Sequence, residues 1–170
     1  MEVGNSFGLV DTYLPTPIIA IRLLLAAVFG AMIGVEREIH TAQAGLRTHI
    51  LVSVAAALFT ILAFEIYHTL GTTETVQADP IRAVEAVTPG IAFLGAGAIF
   101  RSGAGVSGLT TGAGMWLAGA VGVATALGHY VVAGGVALLA VLVMASLRVF
   151  AHRVVGQREA ALAESKNKEI

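Results

Sequence analysis

Charged side chains are scarce in this chain, and those that could do chemistry fall into a few tight groups. Glu36-Arg37-Glu38 is followed by Arg47-Thr48-His49, then by Asp79-Pro80-Ile81-Arg82 with Glu85 close behind. Arg101 stands alone, and Thr110-Thr111 follows it. In an apolar setting an isolated carboxylate or guanidinium is costly unless it is paired or neutralised. Glu36 is therefore expected either to stop a span at the interface, with Arg37 on the headgroups, or to turn inward and pair with Arg47 or Arg101. Arg47 opens a helix, where the macrodipole disfavours a cation. An anionic partner is expected for it: Glu36, a lipid or a phosphate. His49 reads as a packed interfacial histidine. Asp79 and Pro80 read as N-cap and first helical residue. With Glu65, Glu74 and Glu85 against Arg82, Asp79 also makes an acidic face. Asp79 and Glu85 are candidate ligands for Mg2+, which takes one or two carboxylates and retains waters. Arg82 and Glu85 also have the i, i+3 spacing of a helix pair.

The elements that must position these groups are long apolar runs. The 170 residues are 56% hydrophobic and 12% charged, against about 25% charged in soluble domains. An all-α, polytopic membrane protein with five spans is predicted. The spans are Ile18–Val35, Gly45–Tyr67, Val87–Phe100, Val106–Leu127 and Tyr130–Leu147. Residues 1–16 form an extracytoplasmic arm, 17–150 the transmembrane domain and 151–170 a charged cytoplasmic tail. The first residues lack the basic start of a signal peptide. Arg37, Arg47, Arg101 and the basic residues after Leu147 share one side, so the positive-inside rule places the N-terminus outside. Arg22 is expected to snorkel to the outer interface.

Glycine dominates residues 89–116, which contain three Gly-Ala-Gly triplets around Arg101. Gly95, Gly97, Gly108 and Gly112, with Gly30 and Gly34 in the first span, are candidate packing positions for close helices or a homodimer. A broken or re-entrant element is the alternative, lining a small cavity with Thr110, Thr111 and Arg101 facing in. Val87–Phe100 gives only about 21 Å of helix. Either it extends back to Asp79, or Pro89-Gly90 breaks it. No cysteine, phosphate-binding loop, HExxH or nucleophile with an adjacent base is present, so nothing supports an enzyme. The net charge of −1 argues against nucleic acid.

Several of these stretches together resemble the membrane domain of the MgtC/SapB family. They are 34–38 (GVERE), 45–49 (GLRTH), 79–82 (DPIR), 90–99 (GIAFLGAGAI), 108–111 (GLTT) and Trp116, in the family's order and covering about residues 18–147. Residues 112–114 depart from the family's alanine- and threonine-rich run. The sequence reaches Ile170 without the soluble ACT-like domain of many members, so a short form is expected. The resemblance implies a bacterial inner-membrane protein tied to magnesium homeostasis, virulence and acid resistance, and a regulator that inhibits the F-type ATP synthase. It equally implies a magnesium or proton transporter or sensor. Binding of anionic lipid or phosphate through Arg47 and Arg101 is a third expectation, and a homo-oligomer is expected.

Overall fold

A computed structural model of the chain describes residues 12–39, 43–70, 80–102 and 105–147. Asp79, Glu74 and the tail from Arg148 onward lie outside these residues. Five helices run in chain order: α1 (Thr16–Ile39), α2 (Leu46–Leu70), α3 (Pro80–Gly97), α4 (Leu109–Ala126) and α5 (Tyr130–Leu147). Between α3 and α4 lies a small antiparallel hairpin, β1 (Phe100–Ser102) and β2 (Gly105–Ser107). Helices α1, α2, α4 and α5 are long and apolar enough to cross a membrane. The apolar part of α3, Val84–Gly97, is shorter.

Of the two readings left open for the third segment, the extended one matches. Helix α3 starts at Pro80 and continues through Pro89. Proline removes one intrahelical donor, yet the helix does not end there. The expected turn at Arg101 is instead a hairpin in which Phe100 pairs with Ser107 and Arg101 with Val106.

Helices α1, α2 and α4 meet along lines where glycine removes the side chain. A methyl built on Gly30 would lie 2.8 Å from both the His49 carbonyl oxygen and the Ser53 Cβ. One on Gly34 would lie 2.8 Å from the Leu46 Cα, and one on Gly122 2.2 Å from the Ser53 carbonyl oxygen. Ile33, Ala56, Ala118 and Val121 fill the core between these crossings. Helix α3 leans on α4 through Gly95 against Gly112 and Ile91 against Gly119. Helix α5 lays Gly134 against Phe29 of α1 and buries Ala133 and Ala137.

The α4–α5 corner is closed by glycine and arginine. Gly128 has φ 85°, and its N–H donates to the Thr125 carbonyl at 3.0 Å, while the His129 N–H donates to Ala124 at 2.9 Å. This is a Schellman closure. One carbonyl it leaves open, that of Ala126, accepts from Arg22 Nη1 at 2.5 Å. Arg22 Nε also donates to the Tyr130 hydroxyl at 3.3 Å. Arg22 thus caps α4, where a cation also suits the negative helix end.

Candidate functional site: a buried polar seam between α1, α2 and α4

The last turn of α1 carries Glu36 and Arg37 inward. They are 6% and 7% exposed. Arg37 Nε donates to Glu36 Oε2 at 2.6 Å, and the two form an ion pair. Of the expected partners of Glu36, Arg47 does not meet it, and Arg37, expected on the headgroups, is buried beside it instead. Gly34 lets α2 approach so closely that the end of α1 is covered, and neighbouring residues of α1 neutralise each other. Arg47 is exposed on α2. Arg101 lies in β1 by its backbone, and its side chain is outside the described residues.

Glu38 has a different task. Its Oε2 accepts the Leu46 N–H at 2.9 Å, capping α2 across the connection. Gly45 makes room for it, since a methyl there would lie 1.8 Å from the same oxygen. A carboxylate suits this position because a helix N-terminus leaves N–H groups unsatisfied and partly positive. The triplet Glu36-Arg37-Glu38 therefore divides into an inward pair and a cap.

Beside the pair lies His49, fully buried. Its Nδ1 is 2.7 Å from the Gly45 carbonyl oxygen, which can only accept, so Nδ1 carries the proton in this contact. Nε2 faces α4 at Gly114, where an added methyl would lie 3.0 Å away. Ser53, one turn along α2, is also fully buried, and neither His49 Nε2 nor Ser53 Oγ has a hydrogen-bond partner among the described residues. Thr60 and Thr125 are satisfied by their own helices, through Ala56 O at 2.8 Å and Val121 O at 2.7 Å. Sequence reasoning placed His49 correctly as a packed residue and missed Ser53. The signal was available: Ser53 is four residues from His49, on the face that meets Gly30.

The remaining candidates scatter. Thr48 is half-buried on α2. Thr111 is buried, whereas Thr110 is exposed and edges a cleft of about 350 Å3 formed with Ile33, Leu117, Val136 and Met144. That cleft is apolar apart from Thr110, so the polar cavity expected around Thr110, Thr111 and Arg101 does not form among the described residues. Arg82 and Glu85 are both exposed, with no ion pair between them. Among the described residues no group of three or more histidine, aspartate or glutamate side chains is placed to share a metal ion. Glu65, counted with the acidic face, accepts the backbone N–H groups of Tyr13 at 2.7 Å and Leu14 at 2.9 Å. Tyr13 stacks on His68 with ring centroids 3.5 Å apart.

Among the packing glycines, Gly30 and Gly34 face α2 of their own chain, and Gly95 faces Gly112. Gly108 is the N-cap of α4 with φ 85° and abuts the Ala98 carbonyl. Gly97 has nothing within 4 Å of where a side chain would stand, so it packs on no other helix of the described chain.

A bundle of apolar helices long enough to cross a bilayer, welded by glycines around a buried ion pair, defines a helical membrane protein. Comparison with known proteins narrows this class. The model of the MgtC family matches residues 23–153, and the chain belongs to that family. It is 38% identical over 110 residues to the protein named Putative magnesium transporter YhiD of Escherichia coli K12, covering 65% of this chain and 51% of that one. It is 36% identical over 115 residues to Protein SapB of Bacillus subtilis, covering 67% and 50%. To Protein MgtC of Salmonella typhimurium LT2 it is 36% identical over 134 residues, covering 79% and 54%. The chain thus spans about half the length of these relatives. No solved structure matches it.

Proposed function

We propose that this chain is a multi-pass protein of the bacterial inner membrane, linked to magnesium homeostasis, that acts by contact with a membrane partner rather than by conducting an ion. One observation carries the reading. Glu36, Arg37, Glu38 and His49 of its motifs are engaged in contacts within and between α1 and α2, while the two clefts at α2–α3 and α4–α5 are lined almost wholly by apolar side chains. A pathway for a hydrated ion needs polar groups facing an opening. In the proposed topology all five helices span, the N-terminus lies outside, and the α1–α2 connection and the hairpin face the cytoplasm. The basic residues Arg37, Arg47 and Arg101 share that side.

The link to magnesium rests on family membership and on the name of the Escherichia coli relative. The partner we propose, on the strength of the family resemblance, is a complex of the F-type ATP synthase kind. Inverted membrane vesicles containing the folded protein are expected to make ATP more slowly than vesicles without it. An unchanged rate at matched synthase content overturns this choice of partner.

A further inference from the structure

An open groove lies between α2 and α3. Its volume is about 580 Å3, and all of its lining residues are apolar. Val52, Phe59 and Ile66 mark its course along α2, and Ala86, Gly90 and Leu94 along α3. From Val52 to Ile66 the groove follows about 21 Å of helix at 1.5 Å per residue. An unbranched hydrocarbon chain fits along such an apolar groove, and it needs no hydrogen-bond partner from the walls. Gly90 keeps the slot open, since nothing lies within 4 Å of where its side chain would stand.

The two ends of the groove differ in charge. On α2 the stripe Val52, Phe59, Ile66 continues backward by one turn to Thr48, which is half-buried, next to the exposed Arg47. The N-terminus of α2 lies at this end beside the C-terminus of the antiparallel α3, so the two dipoles offset and the charge there is that of Arg47. At the other end stand Glu65, next to Ile66, and Glu85, next to Ala86, with Arg82 beyond. An anion is favoured at the first end and disfavoured at the second. We propose that the α2–α3 groove is a binding site for one phospholipid, with an acyl chain along α2 and its phosphate at Arg47 and Thr48.

The test is native mass spectrometry of the chain, purified in mild detergent and re-equilibrated with mixed phosphatidylglycerol and phosphatidylethanolamine. The native chain is expected to retain one phospholipid, with phosphatidylglycerol preferred. Gly90→Leu fills the slot and is expected to lower retention several-fold. Ala86→Leu, at the other end of the slot, is expected to do the same, so a folding failure in one variant does not decide the matter. Arg47→Gln is expected to abolish the preference for phosphatidylglycerol while phosphatidylethanolamine is still retained. Gly135→Leu, on α5 and likewise without a neighbour within 4 Å, is expected to leave retention unchanged. Undiminished retention in both slot-filling variants overturns the site, as does an equal loss in Gly135→Leu. A native dimer that Gly90→Leu splits, with no lipid retained, would assign the groove to a second copy instead.

Discussion

Gly122→Ala is expected to destabilise the folded bundle by about 3 kcal/mol, at the upper end for a methyl forced into a packed core. The added carbon would sit 2.2 Å from the Ser53 carbonyl oxygen and 2.9 Å from its carbon. Those are backbone atoms, so no rotamer change relieves the overlap, and α2 and α4 must separate. Separation also opens the contact that Gly114 makes with the same stretch of α2, at His49. The proper reference is Gly135→Ala, which meets nothing within 4 Å. It is expected to be neutral or to gain up to about 1 kcal/mol from helix propensity. Unfolding in mixed micelles, followed by the fluorescence of the single tryptophan, Trp116, measures both. Equal stabilities for the two variants would mean that α2 and α4 do not touch at Gly122.

Glu36→Ala is expected to cost about 3–5 kcal/mol, the range for leaving one member of a buried ion pair behind. Arg37 would be left with its charge and little access to water, being 7% exposed. The double substitution Glu36→Leu with Arg37→Leu is expected to recover most of that loss, because the desolvation cost of both charges disappears together. The same unfolding measurement applies. A neutral Glu36→Ala would show that Arg37 reaches the headgroups, which is the arrangement the sequence alone also allowed.

Much of this architecture was legible before any coordinates. Long uncharged runs forecast the helices, and Asp79-Pro80 forecast a helix start that the structure places at Pro80. The resemblance located the family through residues that proved to be structural: Gly34, Glu36, Glu38, Gly45, Gly95 and Gly108. Partner choice was the illegible part. Glu36 pairs with Arg37 beside it rather than with Arg47 across the connection, because burial depends on how closely α2 approaches, and that distance is set by Gly34. Spacing alone could not show whether Gly30 and Gly34 face a helix of the same chain or a second copy. Gly108 and Gly112 have GxxxG spacing, yet Gly108 serves a positive φ at a helix start and only Gly112 packs against a helix. The hairpin was hidden by its length, since strands of three residues leave too short an alternation to count. The partner of Arg22 could not be read from spacing, because the Ala126 carbonyl lies 104 residues away in sequence.

The central claim is that the motif residues hold helices together and do not line a route for ions. Reconstituted liposomes containing a magnesium-sensitive dye test it most directly. The protein is expected to admit no more magnesium than protein-free liposomes under an imposed gradient, with folding checked by Trp116 fluorescence. Saturable uptake that disappears in a folded Glu36→Leu, Arg37→Leu double variant would contradict the account.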